Sequence, residues 1–198
     1  MIIGEKFAWG HIPKTGGDVT AELFKLFPEL VVFSDPSDTN SKHTLFRDRE
    51  DQIRGKSLIL NFRRLPSWIL SRAHHAATQG VWPEYRPIPM QSPHQMAESQ
   101  FPDGWLTYFT DNGRFRIDRW IRMEHLADDF LAVVSELTEV TDEQRQKVRA
   151  HGDADRRVAY DHEPYHWFTE DQIRRMYESN PVWAAVEREV YREWPHIE

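Results

Sequence analysis

The sequence predicts a three-layer α/β/α domain with a mainly parallel central sheet. Three observations carry that prediction: strand-like apolar runs alternate with helix-like ones, two of the strands end in turns built of glycine or arginine, and a helix-like run follows each turn. Parallel strands need crossover helices, and ligands gather at the carboxyl ends of such strands. With 198 residues, 39% of them hydrophobic and 13% aromatic, the chain has enough apolar material for a single domain over 1–198.

The first strand-like run is Lys6 to Gly10, and the first helix-like run is Glu22 to Phe27. Between them lies His11-Ile12-Pro13-Lys14-Thr15-Gly16-Gly17-Asp18-Val19-Thr20. Adjacent glycines let the backbone curl so that several N–H groups converge on one anion, and the following helix points its positive dipole end at the same spot. Lys14 adds a mobile cation. A nucleotide triphosphatase loop has its lysine after the last glycine, with a hydroxyl beside it for magnesium; here the lysine precedes the glycine pair. The second strand-like run, Lys56 to Phe62, turns through Arg63-Arg64-Leu65-Pro66 into a helix with proline in its first turn.

Pro13-Lys14-Thr15-Gly16-Gly17 resembles the 5′-phosphosulfate loop of sulfotransferases, and Arg63 followed by Ser71 eight positions on resembles that family's 3′-phosphate motif. The resemblance implies a P-loop sulfotransferase-like fold, with 3′-phosphoadenosine 5′-phosphosulfate (PAPS) as sulfonyl donor and its desulfated product (PAP) as leaving group. Lys14, Thr15, Gly16, Gly17, Asp18, Val19 and Thr20 would then cradle the 5′ end. Asp18 stands where many members carry a hydroxyl, so its side chain should face away, and Thr20 offers a hydroxyl instead. Arg63 would grip the 3′-phosphate through its fork while Ser71 donates from the same side; Pro66 lies one place later than usual, which makes Arg64 the alternative ligand. Ser41-Lys42-His43-Thr44 resembles a stretch found between the two motifs in bacterial and carbohydrate-directed members, and implies His43 as general base, with Glu124 as its rival. Arg156 and Arg157 stand where many members place a basic loop over the 3′-phosphate.

Phe115 to Leu126 reads as a later strand and turn, with Arg122 and Glu124 expected to pair at the strand end. Leu126, Phe130, Val133, Val134 and Leu137 then recur at helical spacing. Thr138 to Val158 is polar and broken by Gly152. Thr169 with Asp171-Gln172 carries a capping signature, and Asn180-Pro181 interrupts the final helical stretch. His162-Glu163-Pro164-Tyr165-His166 matches a zinc-protease pattern, but Pro164 breaks the helix that such a site needs. Residues 80–112 are irregular and rich in proline and aromatics, and read as an acceptor-binding segment. His74 and His75 precede it on a helix face.

A formal charge of −7 disfavours nonspecific nucleic-acid binding, and the absence of cysteine excludes disulfides and a thiol nucleophile. No run approaches a membrane span of about twenty apolar residues, and the loop starts too near Met1 for a cleavable leader, so the chain reads as cytoplasmic and of bacterial type. The expected activity is sulfonyl transfer from PAPS to a hydroxyl, less readily an amine, of a small-molecule, lipid or carbohydrate acceptor, by a scheme that calls for no metal. The alternatives are a P-loop kinase and a catalytically silent PAP-binding module.

Overall fold

Among the described residues five strands form one mixed sheet in the order β3-β1-β2-β4-β5: β1 (Ile2–Ile3), β2 (Phe7–His11), β3 (Phe33–Ser34), β4 (Ser57–Phe62) and β5 (Arg119–Arg122). The computed structural model describes residues 1–36, 43–79, 89–99, 102–154 and 160–191. β2, β4 and β5 run parallel, while β1 pairs antiparallel with both β2 and β3. The α/β class therefore holds, with the parallel arrangement confined to half of the sheet. The reason is local: residues 4–6 are too few for a crossover between β1 and β2, and so short a connection permits only an antiparallel return.

The chain divides into two compact units, residues 1–62 with 107–156, and residues 63–106 with 157–198. In the first, all five residues of β2 are buried, as expected of a strand covered on both faces. Phe7 and Trp9 point to one face together with Ile59 and Ile121, where they meet Val19, Leu23 and Phe24 of α1 (Gly17–Phe24). Phe130, Val133 and Val134 of α6 (Leu126–Ser135) complete that core, with Val148 of α7 (Asp142–Ala154). On the other face Gly10 leaves room for the Phe46 ring, which in turn packs on Phe115 at 6.1 Å. The four-residue helix α2 (Glu50–Ile53) leads into β4.

α7 occupies the stretch that reads as polar and broken. Apolar spacing gives little signal there, with Val148 fully buried but few apolar residues beside it; the helix is made instead by local chemistry. Thr141 and Gln144 bond each other's backbone N–H reciprocally, Gln144 reaches the Leu26 carbonyl at 3.2 Å, and Glu143 pairs with Lys147 one turn on.

The second unit holds α3 (Leu65–Gln79), α4 (Pro93–Ser99), α8 (Glu170–Ser179) and α9 (Pro181–Val190). The unit boundary falls within α5 (Asp103–Phe109). α4 and α5 lie inside the 80–112 segment that reads as irregular. Proline at the first position of α4 and aspartate at the first position of α5 suit helix starts, so the residues that look like breakers act as initiators. α8 opens on the expected capping box, Thr169 with Gln172, and α9 starts at Pro181 directly after Asn180. Asp103 accepts from the backbone N–H groups of Val182 (2.9 Å) and Trp183 (2.7 Å), which supplies α9 with a carboxylate cap.

Arg122, the last residue of β5, is locked to Asp129 of α6. Its Nε and Nη2 donate to the two carboxylate oxygens at 2.7 and 2.8 Å, and its backbone N–H donates at 2.9 Å. Both residues are buried, so the partner that neutralises Arg122 lies seven residues on in the next helix. Removing one member of a buried pair strands the other charge. Asp129→Ala should therefore lower the unfolding free energy by about 3–5 kcal/mol, read by urea denaturation, with Asp129→Asn costing less because it keeps acceptor oxygen for the backbone N–H.

Candidate functional site

The loop between β2 and α1 is held in a conformation that its sequence demands. Lys14 has φ 69° and Gly16 φ 88°, both in the left-handed region, which non-glycine residues visit rarely and at a cost. Left-handed residues alternating with ordinary ones turn successive backbone N–H groups toward one side, the arrangement known to bind anions. Gly16 is also the N-cap of α1, with no side chain to cap it. The first intrahelical bond runs from Thr20 N to Gly16 O at 3.0 Å, so the amides of Gly17, Asp18 and Val19 precede the helix ladder at its positive end.

Each glycine answers a close approach. A Cβ on Gly16 would overlap the Met123 sulfur and press on Leu126, and one on Gly17 would overlap the His11 ring. The loop thus rests on the turn after β5 on one side and on the end of β2 on the other. His11 is 5% exposed and stacks on Trp9 with ring centroids 5.1 Å apart. His43 meets His11 edge to face at 4.6 Å, so the imidazole expected as general base stands one ring away from the glycine loop. Its sequence neighbours Ser41 and Lys42 lie outside the described residues.

Beneath the loop sits a residue to which the sequence reading gave no role. Asn61, opposite His11 across the β2–β4 ladder, is fully buried between the apolar residues Leu60 and Phe62. Its Oδ1 accepts from the Trp9 indole N–H at 2.6 Å, and its Nδ2 donates to the Thr15 carbonyl at 3.1 Å and the Thr20 hydroxyl at 2.8 Å. The signal was a lone amide in Ser57-Leu58-Ile59-Leu60-Asn61-Phe62: a polar group in a buried strand must find partners.

The hydroxyls of the loop serve the fold. Thr15 donates to the Ile12 carbonyl at 2.7 Å, and Thr20 donates its single proton to the Gly16 carbonyl at 3.1 Å. The Thr20 hydroxyl that looks available to an anion is therefore engaged in bracing the loop. Asp18, in the first turn of α1, is half-buried. Glu124 lies exposed on the 3-10 turn Met123–His125, next to the Met123 that touches Gly16.

In the second unit, Arg63 follows β4 in the chain and its carbonyl accepts from the Trp183 indole at 3.0 Å. Ser71, 7% exposed, lies on α3. Arg64 is engaged by Glu187 at 3.4 Å, with its guanidinium 4.0 Å over the Tyr191 ring. Arg156 and Arg157 lie outside the described residues.

The zinc-like pattern folds as a 3-10 turn, Pro164–His166, in place of a continuous helix. Glu163 caps it, accepting from Tyr165 N at 3.3 Å, while Asp161 accepts from Glu163 N at 3.0 Å and meets His166 Nδ1 at 2.6 Å. The His166 imidazole is held above its ordinary range by that hydrogen bond and by the carboxylate's charge, and Asp161 is held below its own range by the Glu163 N–H and by His166. His74 goes the other way. Its ring stacks on Tyr160 at 4.0 Å and meets the Trp167 edge at 4.9 Å, and burial lowers its proton affinity. No family model, curated protein or solved structure matches the chain.

Asn61→Leu keeps the branched shape but leaves the Trp9 donor and the Thr15 acceptor unsatisfied in a buried site. It should cost about 2–6 kcal/mol by chemical denaturation, since each orphaned group costs about 1–3. The two histidines should separate by NMR titration. His166 should titrate above, and His74 below, the ordinary imidazole value of 6.5. His166, raised, contributes stability that is whole below that value and lost as pH rises through its folded pKa. His74, lowered, takes up its proton more readily in the unfolded chain, so its environment loses stability as pH falls from that value. Asp161→Asn should return His166 toward 6.5 and leave His74 unmoved.

Proposed function

We propose that the chain is a PAPS-dependent sulfotransferase acting on a hydroxyl, less readily an amine, of a small-molecule, lipid or carbohydrate acceptor. The observation that carries the reading is the loop: lysine before a glycine pair, left-handed at Lys14 and Gly16, leading into a helix whose N-cap is a glycine, with an imidazole close by. Amides of Gly17, Asp18 and Val19 suit an anion at the 5′ end, and Lys14 suits the charge that develops on the bridging oxygen. In the reaction the acceptor oxygen forms its bond to sulfur, the bond from sulfur to the phosphate oxygen breaks with its electron pair leaving on PAP, and His43 takes the acceptor proton. Arg63 and Ser71 are assigned to the 3′-phosphate from sequence order, with Arg64, which meets Glu187 and the Tyr191 ring, as the alternative to Arg63. The scheme is that of a P-loop sulfotransferase-like, three-layer fold.

A kinase reading fits less well. It needs a hydroxyl beside the lysine for magnesium; the Thr15 hydroxyl beside Lys14 is instead buried and donates to the Ile12 carbonyl. The silent PAP-binding module shares every binding residue, and only turnover separates it from the enzyme.

PAP should raise the melting temperature, and ATP with magnesium should raise it much less, because ATP lacks a 3′-phosphate. Equal shifts would favour the kinase. With labelled donor and an acceptor found by screening phenols, sugars and hydroxylated lipids, Lys14→Ala should slow turnover by roughly a hundredfold or more and weaken PAP binding less. His43→Ala should lower the rate by about 10²–10⁴-fold, and the limb of the pH profile that reports loss of the imidazole proton should disappear. If Glu124→Ala removes that limb and His43→Ala does not, Glu124 is the base.

A further inference from the structure

We propose that the second unit carries a binding site for a small planar organic anion, in the cavity formed by α8, α9 and the residue that precedes α3. The cavity has a volume of about 640 Å³. That lies within the range of small-ligand pockets, about 300–1,000 Å³. Arg64, Arg174, Arg188, Tyr177 and Tyr191 line it, with Pro181 and Ala184 as apolar wall. The site lies in the second unit alone and does not depend on the sulfotransfer reading.

Three arginines face two glutamates in this lining, and both glutamates are occupied. Glu187 is 5% exposed and accepts from Leu65 N at 2.9 Å, from the Tyr177 hydroxyl at 2.9 Å and from Arg64 at 3.4 Å. It thereby caps α3, anchors Arg64 and uses its own charge in the interior. Glu178 is taken by Arg174 at 2.7 Å. Among the described residues no carboxylate pairs with Arg188. Burial, and then the charge of Glu187, push the Tyr177 phenol far above its ordinary range, so it adds no negative charge. Arg174 is held by Asp171 as well as by Glu178, and Arg64 by Glu187, so Arg188 is the lining cation that no described carboxylate answers.

The shape of these groups narrows the ligand. The Arg64 guanidinium sits 4.0 Å over the Tyr191 ring and 3.4 Å from Glu187, so two neighbours position this planar cation. Guanidinium groups recognise planar oxyanions bidentately, and tyrosine rings and guanidinium planes stack on flat π-systems. An aromatic carboxylate supplies both halves, whereas inorganic phosphate supplies only the charge and an aryl alcohol only the ring.

The full chain is titrated calorimetrically with 2-naphthoate, with 2-naphthalenemethanol and with inorganic phosphate at fixed ionic strength. Saturable naphthoate binding is expected, at least tenfold tighter than either of the other two. Arg188→Ala should weaken it at least tenfold with no change in melting temperature, because Arg188 is exposed, and Arg188→Lys should restore part of the loss. Lys14→Ala, in the other unit, should leave naphthoate binding unchanged, so failure here and failure of the sulfotransferase reading are distinguishable. The proposal is overturned if naphthoate does not saturate at millimolar concentration, if the alcohol or phosphate binds as tightly, or if Arg188→Ala binds naphthoate as the parent chain does.

Discussion

The side-chain amide of Asn61 is the constraint on which the first unit's candidate site depends. Both of its N–H groups and its carbonyl oxygen are used, one toward β2 through Trp9 and two toward the loop and α1 through Thr15 and Thr20. A buried amide with every partner satisfied specifies one arrangement, since any displacement leaves polar groups dry and unpaired. The clamp joins the strand that carries His11 to the strand that ends before Arg63, and sets the loop on top of both. The left-handed backbone at Lys14 is local strain, and such strain persists only where the surroundings over-determine it. Here the Thr15 hydroxyl, the Thr20 hydroxyl and Asn61 hold the loop from below.

The same loop is shaped from the side by contacts that exclude a side chain at two consecutive positions. Gly16 yields to Met123 and Leu126 at the turn after β5, and Gly17 yields to His11. The Arg122–Asp129 lock secures that turn, because it fixes the last residue of β5 to the helix that follows Met123. Loop, turn and lock are thus one mechanical unit, and a fault in the buried pair should reach the glycines. The polar groups of the loop divide into two sets: hydroxyls and the Asn61 amide face inward and build it, while the first-turn amides and Lys14 are the groups on which the proposed function would draw.

The second unit relies on a different device. Glu187 is a buried acid whose charge is spread over a helix N-terminus, a phenol and a guanidinium. It ties α9 to the start of α3 and, in passing, fixes Arg64 against Tyr191. The nearby turn at Pro164–His166 uses a carboxylate and an imidazole in solvent, where the bond is an ordinary surface one and follows pH. Buried and exposed acids of one small unit therefore do different things: one specifies geometry, the other responds to conditions.

Much of this was legible from residues alone wherever the cause is short-range. The order of lysine and glycines, the start of α3 around Pro66, the box at Thr169 and Gln172, the break at Asn180-Pro181 and the failure of the His162–His166 pattern to form a helix all depend on chemistry within a few residues. α7 is local too, yet it escaped a reading based on apolar periodicity, since caps and an ion pair build it. What only the tertiary structure decided are pairings between distant residues: the antiparallel edge made by β1 and β3, the partners of Asn61, the choice of Asp129 for Arg122, the ring of His11 against Gly17 and the hold of Glu187 on Arg64. A side chain's type announces that a buried amide or charge needs a partner; which partner it finds is set by where folding brings the strands and helices together, and pattern along the chain does not carry that information.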